Sequence, residues 1–365
     1  MSKPNNPNQN GDTMILFIVV FIFAMIAVDK AVPILVALWD RYKIMTCVAL
    51  ACIAVAVLGK LSVNAWNEYV KNCNDDGITG HDDPTAVPLG TDMETGKSVS
   101  LRQEFRTMHT QVIGTTNAGK SESTVIPQAV KDIQNGSGVL LIDGKSDGRF
   151  VDKLYAYVKK HGREKDFRLF SLGNIEASSS FNPLRGENPQ QVSERVFSSF
   201  KFENEYYRNV QYKYFLGVVR LIFEQKEMPT FSLVKRLLTD MDSLKIWVEA
   251  TDDDLLKKDM TAFMNLAPRE REEKISGLET AISNFTSSDV GVLFEETESR
   301  IDLDEALAKN QIIYFQLPTM YYPFLGEATG RLVLQCFQSA IAKRQMNIRG
   351  GNGTEVSDFL LVHPR

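Results

Sequence analysis

The sequence predicts an α/β fold: a parallel sheet with helices on its faces, interrupted by an all-helical insertion and preceded by two helices long and apolar enough to cross a membrane. Three observations carry this reading. Short apolar runs bounded by turn residues alternate with amphipathic stretches from residue 110 to 172 and again from 312 to 343. The block between them, Gln190 to Val292, has helical periodicity throughout. Two long uncharged runs lie before residue 65.

The first run, Met14 to Val28 (MILFIVVFIFAMIAV), resumes after Asp29-Lys30 as AVPILVALW. The second, Ile44 to Leu58, sits between Arg41/Lys43 and Lys60. Each uncharged core is a little shorter than the roughly 20 residues that cross a bilayer, and Thr13, Tyr42 and the flanking lysines extend both. The polar leader MSKPNNPNQNGD lacks the basic start and small-residue cleavage site of a signal peptide. Two spans joined by a short loop are therefore expected, a transmembrane hairpin over 14–63 behind a polar tail at 1–13. A linker and β-hairpin follow at 64–97, with the hairpin turn at Asp92 to Gly96.

A first part of the sheet domain is expected over 98–187. It has a strand at Thr110 to Ile113, a glycine-rich loop, a helix to Asn135, a strand at Gly138 to Ile142, a helix at Leu154 to Lys160 and a strand at Phe167 to Leu172. The insertion, 188–300, carries helices at Tyr212 to Phe223, Leu233 to Trp247, Leu255 to Leu266 and Ile275 to Phe285. The sheet domain resumes over 301–365 with a strand at Ile312 to Leu317, a helix at Leu325 to Lys343 and the apolar run Asp358 to Val362.

Composition narrows the class. The 365 residues include 41 Lys plus Arg and 46 Asp plus Glu, a formal charge of -5, with 44% hydrophobic and 24% charged residues. This excludes a histone-like, disordered or collagen-like chain and leaves nucleic-acid binding open, because a basic patch can sit on an acidic protein. Cys47, Cys52, Cys73 and Cys336 fall in no metal-ligand spacing and read as idle thiols of a reducing compartment.

Gly114-Thr115-Thr116-Asn117-Ala118-Gly119-Lys120-Ser121 matches G-x-x-x-x-G-K-[ST] between a strand and a helix. The glycines let backbone N–H groups converge on phosphates, and the helix N-terminus adds partial positive charge. Lys120 can reach β- and γ-phosphates and the Ser121 hydroxyl can ligate Mg²⁺. These eight residues with Glu122 form the candidate site, with ATP and Mg²⁺ as cofactors. Asp143, closing GVLLID, has two readings: a Mg²⁺-shell carboxylate, or the residue that shapes the turn Gly144 to Asp147.

In order, the motifs resemble the coupling proteins of bacterial conjugation and type IV secretion, TraD/TraG-like ATPases of the FtsK/HerA class. They are the two N-terminal runs, the phosphate loop, Val125-Ile126-Pro127, Asp143-x-Lys145-x-Asp147, Ser180-Phe181-Asn182-Pro183-Leu184, the helical block, Ile313 to Pro318, and Gly330 to Gln335. The resemblance implies a RecA-like P-loop NTPase in the bacterial inner membrane with its nucleotide domain cytoplasmic. It also implies a hexameric ring, and partners that are a relaxase or relaxosome, single-stranded DNA or effector proteins, and secretion-channel components. Lys201, Arg208, Lys213, Arg220, Lys226, Lys235 and Arg236, interleaved with Phe202, Tyr206, Tyr207, Tyr212, Tyr214 and Phe215, suit DNA contact, and suit equally a solvated helix face over an aromatic core.

The sequence departs from the resembled pattern at its end. The family closes its site with a strand ending in Asp-Glu, whereas Asp358 to Val362 runs into His363-Pro364-Arg365. Neither His nor Arg is a hard anionic Mg²⁺ ligand. The expectation is a truncated product that binds ATP and hydrolyses it poorly; the competing account is a deliberately short protein that uses Asp143 instead. The rival readings are a non-catalytic membrane receptor that recruits substrates, and an FtsK-like DNA translocase.

Overall fold

The computed structural model describes residues 9–73, 78–79, 83–115, 117–349 and 359–362. The chain forms two compact units, Met1–Asp76 and Gly77–Arg365.

The described residues of the first unit form one helix, α1 (Gln9–Cys73), containing Pro33. Two segments of it are long and apolar enough to cross a membrane, Met14–Lys43 and Cys47–Asn67, whose most apolar 18-residue stretches have mean hydropathies of 2.6 and 2.0. The loop expected between them is absent, and helix runs through Asp40–Lys43. That stretch has neither glycine nor proline, and Lys43 pairs with Asp40 one turn back at 3.0 Å, an i, i+3 contact that favours helix.

In the second unit β1 (Ile78–Thr79), β2 (Val87–Thr91) and β3 (Ser98–Leu101) form an antiparallel sheet in the order β1-β3-β2. The turn between β2 and β3 falls at Asp92 to Gly96, as expected. Asp92 Oδ1 accepts from Glu94 N at 2.8 Å and Oδ2 from Thr95 Oγ1 at 2.8 Å, and Gly96 takes a positive φ of 66°. The Thr95 hydroxyl, then the backbone N–H groups, hold the Asp92 carboxyl below its ordinary range.

The main sheet is parallel, ordered β5-β6-β4-β7, from β4 (Gly138–Asp143), β5 (Phe167–Ser171), β6 (Ile312–Gln316) and β7 (Phe359–Val362). Every residue of β4 is buried, which is why its sequence reads as a continuous apolar run. Its alternate side chains serve two different layers. Val139 and Leu141, with Ile312 and Tyr314 of β6, pack under α2 (Ile126–Gln134) and α3 (Gly148–Lys160) through Ala129, Ile133, Leu154 and Val158.

Leu140, Ile142 and the β6 residues Ile313 and Phe315 face the larger layer. That layer comprises α4 (Pro189–Ser199), α5 (Glu205–Glu224), α6 (Phe231–Thr239), α7 (Met241–Glu249), α8 (Asp254–Met264), α9 (Pro268–Thr286), α10 (Leu303–Ala308) and α11 (Pro323–Arg349). A relay of ring contacts joins sheet to helices: Phe315 to Phe170 at 5.2 Å, Phe170 to Phe294 at 5.4 Å, Phe294 to Phe285 at 5.1 Å and Phe285 to Phe231 at 4.6 Å. The helical block and the sheet face therefore share one continuous core.

Two local expectations change. The helix read over Leu233 to Trp247 is two helices, because Asp240 ends α6 and caps α7, accepting from Asp242 N at 3.1 Å and Ser243 N at 3.3 Å. The Ser243 hydroxyl, which also donates to Asp240, is the largest cause holding that carboxyl below its ordinary range. Thr110 to Ile113 joins no strand ladder, and Ile113 is 83% exposed. Four residues have no stability as a strand without a partner, and none of the described strands pairs with them. Asp358, His363, Pro364 and Arg365 lie outside the described residues.

Candidate functional site

The turn Asn135–Ser137 reverses the chain between α2 and β4, and α2 packs on β4, so the two run antiparallel. The N-terminal end of α2, with the glycine-rich loop before it, consequently lies at the end of the sheet where β4 finishes at Asp143. This is the carboxyl edge of a parallel sheet, where α/β folds place their ligands.

The backbone of the loop is shaped for an anion. Asn117 and Gly119 have φ of 64° and 77°, the left-handed values that turn successive N–H groups to one side. Gly119 is required there, since other L residues are strained at such a φ. A Cβ on Gly114 would stand 3.3 Å from Lys120 Cγ, so glycine lets the lysine stem lie against the loop. Lys120 Nζ donates to Gly114 O at 2.7 Å and Thr115 O at 2.8 Å, spanning the mouth of the loop. Ala118 N closes the turn onto Thr115 O at 3.2 Å. Thr116 lies outside the described residues.

The helix begins with one wide turn, Ser121–Val125, in which Ile126 N bonds Ser121 O five residues back. Such turns occur mostly at functional positions. Ser121 is exposed, and its hydroxyl has no partner among the described residues. Glu122 points away to an ion pair with Lys153 of α3, which makes it a strut between helices. The segment leading into the loop is anchored by a buried fork: Arg106 donates to both oxygens of Asp132 on α2, at 2.6 and 2.7 Å. With these side chains 9% and 2% exposed, the pair clasps the chain before the loop to the helix after it.

Asp143 is occupied by its own turn. Its Oδ1 accepts from Lys145 N at 2.9 Å, and its Oδ2 accepts from Asp147 N at 3.1 Å and from the Tyr314 hydroxyl at 2.9 Å. Burial, and then the Asp143 charge, push the Tyr314 phenol far above its ordinary range, so it stays a donor. Gly144 O accepts from Thr319 N at 3.1 Å and Thr319 Oγ1 at 2.9 Å, which ties the turn to the segment after β6. These contacts are ones a turn-shaping residue makes, the second of the two readings of Asp143.

The mixed basic and aromatic stretch is mostly core and ion pairs. Phe215 is fully buried, and Phe202, Tyr212 and Tyr214 pack against the core. Lys201 pairs with Glu327 at 3.0 Å, Lys213 with Asp259 at 3.0 Å and Arg220 with Asp253 at 2.6 Å. Tyr206 alone of those aromatics is largely exposed, at 65%. Ser180 to Leu184 is likewise structural: Asn182, buried, donates to Pro229 O at 3.0 Å and accepts from Leu184 N at 2.9 Å.

Sequence reasoning did not find Tyr314, Thr319 or the Arg106–Asp132 fork. A tyrosine inside an apolar strand signals a buried acceptor somewhere. Which acceptor depends on the pairing of β6 with β4, strands 171 residues apart at this contact.

A phosphate-type loop opening a helix at the carboxyl edge of a parallel sheet, with helices on both faces, defines a P-loop NTPase fold. The comparisons with known proteins bear on which kind. No protein-family model matches the chain. The type 4 coupling protein DotL of Legionella pneumophila is 30% identical over 84 residues, 23% of this chain and 11% of that protein. Among solved structures, the conjugative coupling protein TrwB in a sulphate-bound trigonal form is 12% identical with a TM-score of 0.49, covering 75% of this chain and 59% of that one. Plasmid coupling protein TrwB with ADP and Mg²⁺ is 12% identical with a TM-score of 0.43, covering 68% and 54%. The match thus covers about a tenth of the curated relative's length, and the structural matches cover little more than half of the TrwB chains. The curated relative is a type IV coupling protein, the family that the order of motifs resembles.

Proposed function

We propose that this chain is the membrane-anchored, nucleotide-binding part of a type IV coupling protein. It binds ATP with Mg²⁺ through Gly114 to Ser121, and it assembles as a hexameric ring in the bacterial inner membrane with its sheet domain cytoplasmic. There it brings relaxase-bound DNA or effector proteins to a secretion or conjugation channel. The observation that carries the reading is the loop: left-handed backbone at Asn117 and Gly119, and Lys120 lying across the mouth on two carbonyls. Those carbonyl bonds are ones a phosphate can replace at little cost, since the ammonium exchanges neutral acceptors for a charged one. The free Ser121 hydroxyl fits a Mg²⁺ ligand, and the Mg²⁺ would offset phosphate charge.

Hydrolysis is slow in this reading, because Asp143, the carboxylate at the carboxyl end of β4, has both oxygens committed to backbone N–H groups and to Tyr314. The same observation favours a second reading, a receptor that uses nucleotide as a structural ligand only. The helical layer is then the surface that meets cargo.

The test is equilibrium binding of a fluorescent ATP analogue with Mg²⁺ to the purified full-length chain. Saturable binding, lost in Lys120→Ala, is expected; equal binding by both proteins overturns the assignment of the site. Sustained ATP turnover that Lys120→Ala abolishes would contradict slow hydrolysis while leaving the site standing.

A further inference from the structure

Within Met14–Lys43 the charges Asp29 and Lys30 interrupt the apolar sequence and stand apart from the other ionisable groups. Met14 lies about 22 Å before Asp29 along the axis, and Asp40 about 15 Å after Lys30, at 1.5 Å per residue. Moving the pair out to the membrane surface would strip Ala31 to Trp39, nine residues with a single proline among apolar side chains, of their apolar surroundings. The helix continues through this stretch, and Val32, Ile34, Leu35 and Trp39 are all exposed, so no other described residue of the helix covers them.

Neither charge is neutralised along its own helix. Positions three and four residues away from Asp29 are Met25, Ile26, Val32 and Pro33, and those around Lys30 are Ile26, Ala27, Pro33 and Ile34. Adjacent residues point about 100° apart, so Asp29 and Lys30 do not meet each other. By contrast Asp40 and Lys43 pair at 3.0 Å. Pro33 adds a further demand: lacking an N–H, it leaves the carbonyl of Asp29, four residues earlier, without its helical donor. A carboxylate and a free carbonyl therefore sit together on a shallow groove lined by Met25, Val28, Asp29, Val32, Pro33 and Val36. In hydrocarbon such groups need an external partner.

We propose that the partner is a second copy of this chain, with Asp29 of each copy pairing with Lys30 of the next around a closed ring. Copies inserted in the same orientation hold both residues at the same depth. A two-fold contact would set Asp29 against Asp29, whereas a head-to-tail contact sets opposite charges together. The angle also closes: a helix in a ring sees its two neighbours about 90° apart for four copies, 108° for five and 120° for six, and adjacent residues project about 100° apart. The charge pair thus specifies a small ring, not a dimer. This rests on the membrane reading of α1.

The test uses the full chain in bacterial membranes, with the native cysteines replaced. Met25 and Ile26 lie one turn before Asp29 and Lys30 and share their faces. Co-expressed Met25→Cys and Ile26→Cys copies should form the mixed disulfide in clear excess over the Met25→Cys pair. Asp29→Ala or Lys30→Ala should lower the cross-linked fraction roughly tenfold, and the exchange Asp29→Lys with Lys30→Asp should restore it, because each helix again shows opposite charges to its two neighbours. Carbonate extraction of the same membranes separates the two readings. Protein that stays inserted but cross-links equally well with and without the charges, or chiefly as the Met25→Cys pair, overturns the ring pairing alone. Protein released by carbonate overturns the membrane reading and the pairing with it.

Discussion

Residues 114–121 and 143–148 are both short glycine-containing turns that carry a lysine and open a helix at the same end of the sheet. They use their polar groups in opposite ways. In 143–148 the carboxylate of Asp143 collects Lys145 N, Asp147 N and the Tyr314 hydroxyl, Asp147 caps α3 through Arg149 N at 3.0 Å, and Thr319 closes on Gly144 O. Each of those bonds ends inside the protein. In 114–121 the lysine rests on carbonyls that need no cation, the Ser121 hydroxyl has no partner among the described residues, and Gly114, Thr115, Asn117, Ala118 and Ser121 are exposed. The 143–148 turn satisfies itself, whereas the 114–121 turn keeps polar groups open to solvent, as the proposed site requires.

The substitution with the largest expected effect acts on what holds the open loop in place. Asp132→Ala leaves the Arg106 guanidinium buried without its carboxylate, which costs about 3–5 kcal/mol in unfolding free energy. Replacing both partners by Met and Leu should recover most of it. Chemical denaturation of the second unit's signal measures both; an Asp132→Ala protein within 1 kcal/mol of wild type would mean the fork is not a clasp.

Lys120→Ala should do the reverse, leaving the unfolding midpoint in place and weakening ATP-analogue binding about 100-fold, or roughly 2.7 kcal/mol. Its hydrogen bonds are to exposed carbonyls that water replaces. Asp143→Ala should separate the two turns. It strands the Tyr314 hydroxyl and two N–H groups, costing about 1–3 kcal/mol of stability, with nucleotide affinity changed by less than about threefold. A Mg²⁺-dependent loss of affinity beyond tenfold would place Asp143 in the metal site and erase the contrast.

These differences bear on what could be read from the chain. The phosphate loop is local chemistry in eight consecutive residues, so its glycines, lysine and serine are visible without knowing the fold. β4, β5, β6 and the helices from Tyr212 onward follow from apolar period for the same reason. The scaffold around the loop is not local. Arg106 and Asp132 meet across 26 residues, and the Asp143 contact with Tyr314 needs the order β5-β6-β4-β7, in which β4 pairs with β6 and not with β5, the strand that follows it in the chain. Thr110 to Ile113 has the composition of a strand, but a ladder is a property of two segments. Lys201 to Arg236 has the composition of a nucleic-acid surface, yet helical phase sends Phe215 inward and puts Lys213 beside Asp259. Asp240, with Thr239 before it and Ser243 three residues on, is a legible cap hidden by the periodicity on either side.

The smallest expected effect is in pH, and it tests whether the closed turn stays closed. Tyr314 is held protonated by burial and by Asp143, so its phenol ionises more readily in the unfolded chain than in the folded one. A group whose folded value is raised contributes stability that is complete below the unfolded value, near 10, and that declines as pH rises past it. Between neutral pH and about pH 9 the unfolding free energy should therefore carry no Tyr314-dependent slope, and above about pH 10 wild type should lose stability faster than Tyr314→Phe. Ultraviolet titration of the native protein should show the same number of ionising tyrosines in both before unfolding begins. One fewer in Tyr314→Phe would mean that the phenol reaches water, and that the 143–148 turn opens as freely as the phosphate loop.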